Sequence, residues 1–358
     1  MPPQVSVCIP AYNYGHYLPE AIESVLAQTF TDWELIICDD QSVDDTETIC
    51  REYSDKDPRI RYFKNETRLG MFENFNRTID HAQAPFVKFL CADDWLHPDC
   101  LEVCINLAET FPTASMIQSA CVDVNSAGIP ISNVSETCFP KKIYKGATLI
   151  QRQLLGFKGI GGNSSFFIRK KSLLEIGKYT SRFRYAADTF LGLQLCQVGD
   201  FVATNQLLFF GRMHGEERLY TEDLKGSEIS HRSEENMAPL IDWISIPRII
   251  FKSSPLFGNN WACMMIGIGR VGADYFLVAI LRILQGNVKI GAMYIKEIFR
   301  HGKPWWPILA ALPWRLIYLL WKRINRKFQK IQQTEVWRPP GFQITQNEKT
   351  HKDSTQMP

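Results

Sequence analysis

Short apolar runs alternate with amphipathic stretches through the first part of the chain. Val5-Ser6-Val7-Cys8-Ile9 reads as a strand, and Pro19 to Gln28 as a helix with Ala21, Ile22, Val25 and Leu26 on one face. The same alternation predicts a strand over Trp33 to Cys38, a helix from about Thr46 to Tyr53 and a short strand over Ile60 to Phe63. A helix from about Met71 to His81, a strand over Phe86 to Leu90, a helix from about Pro98 to Phe111 and a strand over Ser115 to Val122 follow. Strand and helix repeated in this order imply a mainly parallel, doubly wound α/β sheet with helices on both faces.

The next stretch, to about residue 215, is less regular. Asp123-Val124-Asn125-Ser126-Ala127-Gly128 reads as a turn between strands. A glycine-rich loop from Gly159 to Ser165 enters the apolar strand Phe166-Phe167-Ile168, and a short helix from Lys170 to Ile176 ends at Gly177. Asp188 opens a helical stretch running to Val198, and two strands, Phe201 to Thr204 and Leu207 to Phe210, lead into Arg212-Met213-His214.

Open α/β sheets bind ligands outside the carboxyl ends of their strands. Three polar clusters stand at such ends: Pro10-Ala11-Tyr12-Asn13, Asp39-Asp40 and Asp93-Asp94. On a parallel sheet all three line one rim. Two adjacent carboxylates at the end of the buried run Phe86 to Ala92 are expensive unless partnered, and a hard cation with oxygen ligands is a natural partner.

Composition narrows the chemistry. Forty Lys and Arg against 38 Asp and Glu leave a net charge of +2, which argues against a nucleic-acid binder driven by overall charge. The ten cysteines form no C-x-x-C pair, so a reducing compartment is expected, and no signal peptide is expected ahead of the first strand. No G-x-G-x-x-G follows the first strand and no Walker A lysine is present, which sets aside dehydrogenases and P-loop enzymes. A nucleoside diphosphate at the rim would suit a divalent ion held by Asp93, with Asp40 accepting hydrogen bonds from base or ribose and Tyr12 stacking on the base. Tyr12 reads equally well as a half-exposed loop aromatic.

Val5 to Asn13, Trp33 to Asp45 and Phe89 to Asp94, in that order and spacing, resemble glycosyltransferase family 2, whose members are nucleotide-sugar enzymes of the Rossmann-like GT-A fold. The resemblance covers about residues 4 to 215. It implies that Tyr12 and Asp40 contact the nucleotide base and that Asp93 binds the metal, Mn2+ or Mg2+, of a metal–diphosphate complex, with Pro10, Asn13 and Asp39 beside them on the rim as further candidates for the nucleotide site. Cys91 stands where the family often has aspartate. The family's downstream Glu-Asp base matches Ala187-Asp188, making Asp188 the expected catalytic base; an N-cap aspartate is the plain alternative. The resemblance further implies a single inverting displacement on a UDP-sugar or similar donor.

Weaker candidates are Gly162, Asn163 and Asp94 as a wall for donor sugar or acceptor, or as plain turn and structural residues. His214 is a further metal or diphosphate contact or a structural histidine. Arg68 is a phosphate contact or a solvated arginine.

From about residue 255 the character changes. Between residues 282 and 330 eleven Lys and Arg face one acid, Glu297, and the run Trp305 to Trp321 is apolar but interrupted by Pro307, Pro313 and Arg315. Such a segment is short for a spanning helix and suits helices lying on an anionic bilayer; a helical subdomain packed on the catalytic domain is the alternative. The expected organisation is a GT-A domain over 1–220 (a nucleotide half, about 1–113, and an acceptor half, 114–220), a basic helical extension over 221–333 and a disordered tail over 334–358. The expected activity is metal-dependent transfer of a sugar to a glycan or lipid-linked acceptor in surface-polysaccharide synthesis, on the cytoplasmic face of the cell membrane. A nucleotide-sugar-binding protein without transferase activity and a nucleotidyltransferase are the rivals.

Overall fold

The computed structural model describes residues 2–132, 134, 143–154, 160–183 and 186–213, together with 246–247, 249–250, 276–277, 280, 288–301, 308, 311–312 and 336–342. The elements in chain order are β1 (Val5–Ala11), α1 (Leu18–Leu26), β2 (Trp33–Asp39), α2 (Thr46–Lys56), β3 (Ile60–Lys64), α3 (Met71–His81), β4 (Phe86–Phe89), β5 (Trp95–Leu96) and α4 (Cys100–Thr110). β6 (Ala114–Val124), β7 (Ile143–Tyr144), α5 (Gly146–Leu154), β8 (Phe166–Arg169), α6 (Lys170–Glu175), α7 (Ala187–Val198) and β9 (Asp200–Arg212) complete the domain. A further helix, α8, spans Val288–His301.

The strands form one nine-stranded sheet in the order β3-β2-β1-β4-β8-β6-β9-β5, with β7 also on β9. β1, β2 and β4 are buried along almost their whole length, as fully covered parallel strands must be. Their side chains alternate between two cores. Val5, Val7, Ile9, Leu35 and Ile37 pack with α1, α2 and α4, while Cys8, Ile36 and Cys38 pack with α3, α5, α6 and α7.

The sheet is mixed rather than mainly parallel. β3, β2, β1 and β4 are parallel neighbours, but β8 enters antiparallel between β4 and β6. The two strands expected over 201–204 and 207–210 are one strand, β9. Its register on β6 jumps from Ser119↔Thr204 to Ala120↔Leu207, so Asn205 and Gln206 bulge out without ending it.

Two sequence expectations for the C-terminal part meet the structure differently. Ile246 and Ile250 join the core beside α7, so this piece of the extension packs on the catalytic domain. The run expected to lie on a membrane, 305–321, falls almost wholly outside the described residues. Among the described residues no helix is long and apolar enough to cross a membrane. Within the tail expected to be disordered, residues 336–342 are ordered, because Val336 and Trp337 pack against Trp95, Val122, Val124 and Phe210. A small apolar anchor inside an otherwise polar tail escapes a compositional reading.

Helix α7 approaches the loop before β8 so closely that only glycine fits at residue 192. A Cβ there would lie 2.1 Å from Cγ2 of Ile160. Gly192→Ala is expected to destabilise the fold by about 1–3 kcal/mol through overpacking, with Ile160→Ala in the same chain recovering part of it. Urea denaturation of the two variants measures this, and a neutral Gly192→Ala would show that the contact yields freely.

Candidate active site

The rim begins where β1 and β2 end side by side. Asn13 and Gln41 have φ values of +54° and +63°, a left-handed conformation that Asn tolerates better than most residues. The Asn13 N–H donates to Ser42 Oγ at 2.9 Å, and its Oδ1 accepts the Val43 N–H at 2.9 Å. Asp39 is fully buried and accepts the Ser42 N–H (2.8 Å) and the Tyr62 hydroxyl (2.9 Å). Asn13 and Asp39 therefore build the turn itself. Pro10 lies past the last β1–β4 pair, Cys8↔Phe89, where its missing N–H leaves no gap in that ladder.

Asp40 organises the neighbouring loop. Its oxygens accept the N–H groups of Leu69 (2.7 Å) and Gly70 (2.8 Å) and the Asn65 side-chain amide (2.9 Å). With that loop tied down, the Arg68 guanidinium carbon lies 4.0 Å from the centroid of the Tyr12 ring. Two residues of separate sequence motifs thus form one cation–π pair on the rim.

The end of β4 carries the acidic motif. The Cys91 sulfur and one carboxylate oxygen each of Asp93 and Asp94 lie within 4.8 Å of one another. The two aspartates are not equivalent. Asp94 is 8% exposed and accepts the Ser164 hydroxyl (2.5 Å) and the Arg212 N–H (2.8 Å). Burial pushes its carboxyl up to about 8, and the charge of Asp93 adds to the rise. Asp93 is only half-buried, and its backbone carbonyl accepts from Arg212 Nε at 3.0 Å.

This donor set fits a hard divalent cation held through Asp93. Such ions take oxygen ligands and need only one or two protein carboxylates. Cys91 does not substitute for the carboxylate it replaces: burial, then the charges of Asp94 and Asp93, push its thiol well above its ordinary range. A neutral thiol is a poor ligand for a hard ion.

The glycine loop joins this motif to the candidate base. Gly162 has φ +83°, and residues Asn163–Ser165 form a 3-10 turn. Because β8 runs antiparallel to β4, the residues that lead into β8 arrive at the carboxyl end of β4. Ser164 Oγ donates to Asp94 and accepts the Cys91 N–H at 2.9 Å, while the wholly buried Lys88 ammonium donates to the Ser164 carbonyl. At the other end of the loop the Gly162 N–H donates to Asp188 Oδ2 at 2.7 Å. Asp188 Oδ1 accepts the Thr189 N–H at 2.6 Å in the first turn of α7, whose N-cap is Ala186 and not the aspartate. Asn163 accepts the Tyr179 hydroxyl, and the charge of Asp188 adds to burial in raising that phenol.

Of the predicted residues, Asp93, Asp94, Gly162, Asn163 and Asp188 converge around this loop, and Tyr12 with Arg68 converges at the β1–β2 end of the same rim. Asp39, Asp40 and Asn13 have their hydrogen bonds turned inward to the loops. His214 lies outside the described residues. Ser164 lies in the glycine loop singled out in the sequence, while Tyr179, Arg212 and Glu20 are site-forming residues with no sequence signal. Arg212 and Glu20 meet at 2.5 Å across 192 positions of sequence, a pairing no local pattern encodes.

Ser164→Ala removes the donor to Asp94 and the acceptor for the Cys91 N–H in one step. It is expected to cost about 1–3 kcal/mol of folding stability, the usual penalty for stranding buried polar groups. Equilibrium unfolding in urea reads this; wild-type stability would show that neither bond carries weight.

Comparison with known proteins gives a family match over part of the chain, ending before Asp188. Residues 6–177 match the model described as Glycosyl transferase family 2. A chondroitin synthase of Escherichia coli is 29% identical over 214 residues, 60% of this chain and 29% of that protein. A GalNAc(5)-diNAcBac-PP-undecaprenol beta-1,3-glucosyltransferase of Campylobacter jejuni is 31% identical over 182 residues, 51% of this chain and 56% of that protein. The chain thus spans well under two thirds of these relatives. Staphylococcus aureus TarS 1–349, solved with UDP-GlcNAc, superposes with a TM-score of 0.54 at 16% identity over 84% of this chain and 92% of that one. The Pyrobaculum calidifontis mannosyltransferase PcManGT, solved with GDP-Man and Mn2+, does so with a TM-score of 0.51 at 14% identity over 88% of each chain. At such identities the likeness is one of fold, and the fold is GT-A.

Proposed function

The chain carries a glycosyltransferase family 2 domain over residues 6–177, and from that premise we propose that it is a metal-dependent, inverting glycosyltransferase using a nucleotide-diphosphate sugar. The observation that carries the proposal is the single loop, Gly162 to Ser164, hydrogen-bonded to Asp188 at one end and to Asp94 at the other. The loop thereby fixes the separation between the base and the motif whose Asp93 is the metal ligand, which in-line displacement at an anomeric carbon requires.

In this reading Asp188 takes the proton of the acceptor hydroxyl as its oxygen attacks the anomeric carbon. The Gly162 and Thr189 N–H groups hydrogen-bond the ionised form of Asp188 and aim it. Arg68, stacked over the buried Tyr12 ring, presents a flat, cationic face for the base or a phosphate, on a loop that Asp40 holds in place. Asp93 would hold a divalent cation, Mn2+ or Mg2+, which when bound neutralises charge on the leaving diphosphate. Asp94 supports Asp93 from behind. One displacement inverts the anomeric centre.

UDP-sugar is the favoured donor and a glycan or lipid-linked acceptor the favoured partner, in cell-surface polysaccharide synthesis. TarS crystallised with UDP-GlcNAc supports the first, and the undecaprenol-linked substrate in the name of the C. jejuni relative supports the second. The basic segment over 282–330 supports peripheral attachment to an anionic, cytoplasmic membrane face.

Asp188→Asn is expected to lower transfer about 10²- to 10⁴-fold with the thermal midpoint kept, the ordinary contribution of a general base. Asp93→Ala and chelation by EDTA are expected to abolish transfer, with Mn2+ restoring the chelated wild type but not the variant. Release of nucleoside diphosphate from UDP-, GDP- and dTDP-sugars measures all three. Full rates in both variants would overturn the mechanism, and release of pyrophosphate from a nucleoside triphosphate would make the protein a nucleotidyltransferase instead.

A further inference from the structure

The far end of the chain returns to the acidic motif. Trp337 packs beside Trp95, the residue directly after Asp94, and the Trp95 indole N–H donates to the Trp337 carbonyl at 2.7 Å. The next residue, Arg338, donates to the carbonyls of Ala127 (2.6 Å) and Phe342 (2.8 Å), and its guanidinium carbon lies 5.3 Å from the centroid of the Trp95 ring. It fills space that a side chain at residue 128 would need: a Cβ on Gly128 would lie 1.3 Å from Arg338 Nη2.

Arg338 also reaches the metal motif through two side chains. Its Nε lies 3.5 Å from Glu20 Oε1, and the other Glu20 oxygen meets Arg212 Nη2 at 2.5 Å. The Glu20 and Arg212 side chains are 8% and 2% exposed. Arg212 then bonds the Asp93 carbonyl through Nε and the Asp94 carboxylate through its backbone N–H. A buried carboxylate between two guanidinium groups is geometrically demanding: Glu20 Oε2 is at hydrogen-bond distance from Arg212, and Oε1 stands at ion-pair distance from Arg338. Arg212 thus holds the Asp93 carbonyl and the Asp94 side chain, while Trp337 holds the indole of Trp95, the next residue along.

We propose that Arg338 and Trp337 are positioning residues for the metal-binding motif, so that the docked tail sets the conformation in which Asp93 receives its cation. The inference rests on the reading of Asp93 as metal ligand. It makes metal affinity depend on a segment more than 240 positions away in sequence, reached only after the basic extension.

The test uses the full chain as wild type, Arg338→Ala and Arg338→Lys. Mn2+ alone is titrated by electron paramagnetic resonance, amide exchange is followed over 336–342, and the thermal midpoint is recorded. Arg338→Ala is expected to lose protection at 336–342 and to bind Mn2+ about ten-fold more weakly, the low end for partners outside the ligand shell. Arg338→Lys, keeping the charge but losing the fork to Ala127 and Phe342, is expected to fall between. A merely structural role would lower the midpoint and leave Mn2+ affinity unchanged, and that result overturns the inference. A tail that stays protected in Arg338→Ala overturns it too. If Arg338→Ala does not fold, Arg338→Lys carries the comparison, and wild-type Mn2+ affinity with a loosened tail overturns the inference. Wild-type chain that binds no Mn2+ removes the metal reading of Asp93 itself, an outcome distinct from the others.

Discussion

The buried carboxylate of Asp94 is the constraint on which the site depends. A carboxylate this deep is stable only with donors in place, and here they come from two distant segments, the Ser164 hydroxyl and the Arg212 N–H. Satisfying that one group therefore brings the glycine loop and the end of β9 to the end of β4. The consequence is functional, because the same glycine loop holds Asp188 by its Gly162 N–H. Asp93 is left half-buried at the rim while its neighbour anchors the motif.

Strand direction makes the arrangement possible. The parallel strands β1, β2 and β4 bring their carboxyl ends to one rim, and β9, parallel to β6, ends there as well. The antiparallel β8 delivers the start of a strand to the same place. A parallel β8 would carry the glycine loop to the opposite edge, away from Asp93. The mixed sheet thus lets a loop before a strand meet loops that follow strands.

A second set of groups is coupled to the same point. Glu20, from the first helix, holds Arg212 and approaches Arg338, so the N-terminal helix, the last strand and the tail share one buried ion cluster. The Arg212 guanidinium lies against the Tyr17 and Trp95 rings, which take its faces and leave its N–H edges to the carboxylate and carbonyls. Arginine suits this position because its planar fork serves several acceptors at once.

What was legible in the sequence was what local pattern encodes. The apolar runs marked β1, β2, β3, β4, β6 and β8, helical stretches were legible for α1 to α4, α6 and α7, and three ordered motifs pointed to one rim and to a glycosyltransferase family 2 domain. The two-residue strands β5 and β7 are too short to carry a readable period, and helix α5 went unread although its spacing is amphipathic. Burial and partner choice were also out of reach, because they depend on which distant segments meet. Asp40 and Asp39 look alike as neighbours, yet one ties down the Arg68 loop and the other closes its own turn; Asp93 and Asp94 divide in the same way. The direction of β8, the continuity of β9 through its bulge, the Ser164 bridge and the docking of Trp337 and Arg338 were decided by tertiary structure alone. Each is a pairing between groups far apart in sequence, selected by the need to satisfy buried charge and fill buried space, and no local periodicity records that need.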